Sequence, residues 1–163
     1  MVKITSKFDG RQLESLLIGL GPRVAGRVSG NAVRAAGRVV AAEQRKEVPV
    51  DTGDLRKSIK VRSAKSRLRT RKSAVAGVFG TEGPLAHIIE FGVAPHTIAA
   101  KGKGLSDGTS FYGLTVNHPG TSPNPFITRA FEASKFRAVD KIKESLAAGI
   151  ARESAKLARG RRL

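Results

Sequence analysis

PVDTGDLRKSIKV, residues 49 to 61, decides how the chain is read, because it holds a helix stop, a turn and the start of a strand in thirteen positions. The residue before a proline disfavours helix, so Val48-Pro49 ends whatever helix precedes it. Asp51 or Thr52 can accept backbone N–H bonds and cap a short helical turn through Leu55. Ile59 and Val61 then alternate with Lys60 and Arg62, the two-residue period of a strand with one buried face.

Upstream, Pro22 suits the first turn of a helix that runs to about Glu47. At about 100° per residue, Val24, Val28, Ala32, Ala35, Val39 and Ala42 fall within about 80° of one another and predict a core-facing stripe. Arg23, Arg27, Arg34, Arg38 and Arg45 fall within about 60° beside it, an arginine edge. Gly26, Gly30 and Gly37 occupy a third sector. Each costs about 1 kcal/mol relative to Ala, so a close approach of another backbone is expected there, the alternative being a break near Ser29-Gly30-Asn31. Before this helix, Val2, Ile4 and Phe8 read as a short strand, and Asp9 as the cap of a helix carrying Leu13, Leu16, Leu17 and Leu20.

Downstream, AVAGVFG at 74 to 80 is the return strand of a hairpin, which makes residues 63 to 73 its long tip. GPLAHIIEFG reads as a short helix closed by Gly92. Weak strands at about 97 to 101 and 110 to 116 can pair across Ser106-Asp107-Gly108. From Pro125 a long helix carries Ile127, Ala130, Phe131, Val139, Ile142, Leu146 and Ile150, and the chain ends in the basic RGRRL. The expected class is α+β: N-terminal helices, a small antiparallel sheet with a long basic hairpin, and a long C-terminal helix. At 163 residues one domain, 1 to 163, accounts for the chain, with 63 to 73 a projecting tip and 152 to 163 a basic tail.

Thirty Lys and Arg against thirteen Asp and Glu leave a net charge of +17, which calls for an anionic partner. KVRSAKSRLRTRK, residues 60 to 72, holds seven of those cations: Lys60, Arg62, Lys65, Arg67, Arg69, Arg71 and Lys72. No acid lies between Asp54 and Glu82. With the arginine edge and the terminal Lys156, Arg159, Arg161 and Arg162, three basic elements point to a polyanion. There is no Trp and a single Tyr, so base stacking is not the mode of contact, and no helix-turn-helix or zinc finger is present to read sequence. Phosphate contact independent of sequence is the form expected.

Other chemistries find little support. Without Cys there is no disulfide, thiol nucleophile or Cys-based zinc site. GLSDG at 104 to 108 matches a nucleophile-elbow pattern, but a strand follows Ser106 where a helix is needed, so Asp107-Gly108 reads as a turn. His87, Glu90, His96 and His118 match no common zinc spacing. No P-loop occurs, and neither an enzyme nor a cofactor is expected. The longest apolar run, Leu16 to Leu20, is far short of the ~20 residues that span a bilayer, so no membrane role is expected.

PVDTGDLRKSI (Pro49 to Ile59), AHIIEFG (Ala86 to Gly92) and PNPFITRA (Pro123 to Ala130) resemble, in order and spacing, the head-tail joining or tail-completion proteins of siphovirus-type tailed phages. Lambda's tail-completion protein Z is distantly similar to that family. The resemblance spans residues 30 to 150 or so and rests on Pro49, Asp51, Thr52, Gly53, Leu55, Ser58, Ile59, Glu90, Phe91, Gly92, Pro125, Phe126 and Ala130. Leu85 and Arg129 depart from the family pattern, where Tyr and Pro are common. The motif residues look structural: Gly53 for a tight turn, Leu55 and Ile59 for burial, Phe126 to anchor the long helix. Glu90, amid Ile88, Ile89 and Phe91, needs a cation or a backbone donor if buried.

The resemblance implies a neck ring, six subunits by analogy, stacked between head-closure and tail-terminator proteins. Genomic double-stranded DNA would pass through its channel by non-specific phosphate contact. The protein would then sit in the virion at the neck or tail top, and in the host cytoplasm during assembly. Charge alone also fits a small non-specific nucleic-acid-binding protein of nucleoid or ribosomal type.

Overall fold

The computed structural model describes residues 19, 21–64, 72–102 and 104–160. The expected strand and helix before Leu20, the tip residues Lys65, Arg67, Arg69 and Arg71, and Arg161 and Arg162 lie outside them, as does the side chain of Arg23. In chain order the elements are α1 (Pro22–Glu47), α2 (Asp54–Ser58), β1 (Ile59–Ser63), β2 (Ala74–Val78) and α3 (Gly83–Phe91). Then follow β3 (His96–Ala99), β4 (Leu105–Ser106), β5 (Phe111–Gly113), β6 (Thr115–His118) and α4 (Phe126–Gly160). The α+β class expected from the sequence is the observed one, with a long helix at each end of a set of small antiparallel sheets.

α1 is continuous through Ser29-Gly30-Asn31, and it packs antiparallel to α4. Arg27 meets Glu153 near one end of the pair at 3.0 Å, and Glu47 meets Arg129 near the other at 3.1 Å. The α4 face turned to the core is a small-residue stripe of Ala130, Ser134, Ala138 and Gly149. Gly149 lets the helices close, since a Cβ there would stand 2.6 Å from Val28 Cγ1. Phe131 and Val139, expected inside, are about half exposed on the flank of that stripe, whereas Phe126 and Ile150 are buried near its two ends.

The β1–β2 hairpin lies along a second side of α1. Ile59 pairs with Val78 and Ser63 with Ala74, and Ala64 N donates to Ser73 O one step further toward the tip. Val61 sits over Gly37, where a Cβ would be 2.8 Å from Val61 Cγ1. The backbone approach expected at the glycine sector is not what is found: a side chain closes on Gly37 instead, and an added Cβ at Gly30 would meet nothing within 4 Å among the described residues. The hairpin also explains a shift in the buried face of α1: Ala41, Gln44 and Val48 are covered by it, while Ala42, at the margin beside the arginines, is exposed. A single-stripe reading of a helix cannot anticipate two partners on two sides.

The three motif blocks converge. Leu55 and Ile59, Ala86 and Phe126 form one buried cluster with Ala41 and Val48, and Phe126 is fully enclosed. Gly53 begins α2 in the left-handed region at φ 83°, which a side chain disfavours. The cap expected from Asp51 or Thr52 is replaced by this glycine, since Thr52 Oγ1 only accepts a long 3.4 Å bond from Asp54 N. Ser58 Oγ donates to Leu55 O at 2.7 Å. Glu90 is buried, and backbone donors satisfy it: the N–H groups of Ile127 (2.8 Å) and Thr128 (3.0 Å), with the Thr128 hydroxyl at 2.7 Å. A carboxylate thus caps the positive end of α4 from another helix. Arg129, the departure from the family pattern, binds Glu47 and Asn124 Oδ1.

Between Val93 and Thr121, bridged to each other, the chain makes a two-part ribbon. β3 pairs with β6 (His96 with His118, Ala99 with Thr115), so the expected pairing holds for its outer part, but Phe111–Gly113 pairs with Leu105–Ser106, a strand β4 that includes the Ser106 expected in the turn.

Candidate nucleic-acid interface

The arginine edge runs along α1 between its two packing sides. Arg27, Arg34 and Arg38 are exposed on it. Arg45 is not part of that surface: its Nη2 donates to Ile59 O, tying the end of α1 to the start of β1. On the hairpin, Ile59 and Val61 face α1, so Lys60 and Arg62 face away from it. Arg62 lies over the Phe79 ring, 4.5 Å from its centroid, a cation–π contact.

The tertiary structure brings together some exposed cations of each basic element, Arg27 and Arg34, Lys72, and Lys156, whereas Arg38, Lys60, Arg62 and Arg159, also exposed, line neither groove. Lys72, at the base of the tip, crosses α1 at Gly26, where a Cβ would be 3.3 Å from its Cε. A groove of about 260 Å³ between α1 and the hairpin is bordered by Arg27, Arg34 and Lys72, with Ser63 and Ser73 at its hairpin end. A second groove, about 270 Å³, lies between α1 and α4 and is bordered by Arg27, Arg152, Glu153 and Lys156. Arg27 and Asn31 line both and form the ridge between them on the edge of α1.

Electrostatically the grooves differ. Glu153 accepts from Lys156 and from Arg27, both at 3.0 Å, and these cations hold its carboxyl below the usual range, Lys156 most strongly. It offsets part of the charge of the second groove. The described lining of the first carries no carboxylate. Arg34 Nη2 donates to Asn31 Oδ1 at 2.6 Å, which orients its guanidinium along the edge.

Asn31 and Arg152 escaped the sequence reading. Asn31 shares the face of Arg27, Arg34 and Arg38 at four- and three-residue steps, and Arg152 stands one turn before Lys156. Helical spacing could have found both.

The remaining candidates are dispersed. Glu90 is committed to α4, His96 and His118 lie ring to ring across β3 and β6 at 5.1 Å, and His87 packs on Phe91. Among the described residues no group of His, Asp and Glu gathers as a metal site, and no helix is long and apolar enough to cross a membrane. At the Asp107 turn, Ser106 Oγ accepts from Gly108 N at 3.1 Å and is part of the loop's own bonding.

Residues 20–92 match the family described as "Bacteriophage HK97-gp10, putative tail-component". The matched segment takes in α1, the PVDTGDLRKSI block, the hairpin and the EFG end of α3. Compared with curated proteins and with solved structures, the chain has no match.

Proposed function

We propose that the chain is a structural virion protein of a tailed phage. It assembles as a ring at the head-tail junction, helps complete the tail and join it to the head, and passes genomic DNA through its channel. The observation that carries the reading is the similarity of residues 20–92 to a phage tail-component family, at the coarse level of a tail protein. The ring, the neck position and the neighbouring head-closure and tail-terminator proteins are the finer part of the proposal.

Two features support assembly. Apolar side chains stand exposed on three elements, Phe91 on α3, Phe111 and Tyr112 on β5, and Phe131 and Phe136 on α4, which suits surfaces that meet another subunit. The basic grooves give a ring a cationic surface that repeats around its axis, where screened phosphate attraction holds DNA without reading it.

Light scattering on the purified chain tests the ring: six copies of 17.3 kDa come to roughly 104 kDa, and a monomer at every concentration, with or without neck partners, defeats the reading. The net charge of +17 favours one other reading, a monomeric nucleic-acid-binding protein of nucleoid or ribosomal type. That protein binds free duplex tightly as a monomer with a steep salt slope, whereas a neck protein binds weakly until assembled.

A further inference from the structure

The three glycines of α1 share one sector, and each weakens the helix relative to alanine. Packing accounts for two of them: Val61 fills the space at Gly37, and Lys72 crosses Gly26. At Gly30 an added Cβ would meet nothing within 4 Å among the described residues. Gly30 instead floors the groove between α1 and the hairpin, beneath Arg27, Asn31, Arg34 and Lys72. A floor of bare helix backbone under three cations admits a ligand closer to the helix axis than any side chain would allow.

The geometry points to this groove as a phosphodiester-binding site for duplex DNA, with Arg34 and Lys72 as its principal cations and Gly30 keeping its floor open. The inference rests on the reading that genomic DNA passes through the assembly, and it assigns the surface that meets it. Three observations select the ligand. Arg27 and Asn31 border both this groove and the one lined by Arg152 and Lys156, so cations stand on both sides of one ridge, a spread suited to several phosphates and not to a single one. Among the described residues no aromatic side chain lines either groove, which leaves bases nothing to stack on there and favours a backbone presented by a duplex. The described lining of the first groove is glycine, polar and cationic apart from Ala64, without the apolar centre a protein interface buries.

The test is anisotropy of a labelled duplex with the full chain, in the assembled form found by light scattering, across about 50 to 200 mM salt. Arg34→Gln with Lys72→Gln is expected to weaken binding at least tenfold at the low-salt end and to reduce the salt slope by about 2. Lys57→Gln with Lys143→Gln removes the same charge from ion-paired sites outside the grooves, and is expected to change binding less than twofold. Gly30→Leu is expected to weaken binding several-fold with no fall in the unfolding midpoint, since leucine favours helix and its side chain enters open space.

Equal losses from the two charge pairs, or wild-type binding by Gly30→Leu, overturn the groove and leave the DNA reading standing. Polyglutamate competing as well as duplex at equal charge reassigns the groove to an acidic protein surface, which also overturns it. No duplex binding at all by the assembled wild-type chain overturns the DNA reading and the groove together.

Discussion

The cluster around Phe126 and the ribbon from Val93 to Thr121 are held by opposite means. In the cluster, α1, α2, β1, α3 and α4 each contribute a buried residue, and Glu90, the one buried acid among the described residues, has three donors. In the ribbon, β3 is exposed throughout and Phe111, Tyr112 and Leu114 are more than half exposed. Its order comes from ladder bonds and from Asp107, which accepts from Thr109 N, Ser110 N and the Tyr112 hydroxyl. Two-stranded hairpins are marginal in water on their own. The cluster is therefore where the fold draws its stability, and the ribbon is where the chain has apolar surface to spare for a neighbour.

The sharpest way to break that comparison is one substitution made in both regions. Phe126→Ala should cost about 3–5 kcal/mol in denaturant unfolding, and Phe111→Ala less than about 1, because only the first empties an enclosed site. Similar losses from the two would mean the ribbon is packed as firmly as the core. Next in size, Glu90→Gln should cost about 2 kcal/mol, since an amide turns donors toward N–H groups that require an acceptor. An unchanged unfolding midpoint would show that another group caps α4.

Gly149→Ala should then cost about 1–3 kcal/mol by forcing α4 off Val28, with Gly30→Ala stabilising as its counterpart on α1. Smallest is the response of the ribbon to acid. The backbone N–H of Ser110, then the Tyr112 hydroxyl and the N–H of Thr109, depress the Asp107 pKa from 3.8 to about 2. Its folded-state value is the lower one, so its contribution is present above about pH 4 and is lost as pH falls through about 2. Amide exchange at Thr109 and Ser110 should therefore speed up across that window relative to Asp107→Asn. The same acceleration in the variant would remove Asp107 as the cause.

Much of the fold was legible because local chemistry agreed with it. Val48-Pro49, Gly53 and Gly92 punctuate the chain, Ile59 and Val61 set the strand period, and Asp107-Gly108 places the ribbon turn. The core faces of the helices were legible only in part. Ala42 and Phe131 satisfy a helical period as well as Ala41 and Ala130 do, and the choice among them depends on where the hairpin and the opposite helix press. The candidate site divided in the same way. Charge runs named Arg27, Arg34 and Lys72, but they also named Arg45, which the fold spends on Ile59 O, and Arg62, which it stacks on Phe79.

The amino-acid order alone determined the class of the fold, the limits of most elements and the excess of cations, because caps, periods and charges are properties of neighbours along the chain. Only the tertiary structure decided that Glu90 caps α4 and that Lys72 crosses Gly26, and only it brought Arg152 beside Arg27. Those pairings join residues dozens of positions apart. Their distances follow from how two long helices and a hairpin pack, which no local pattern encodes.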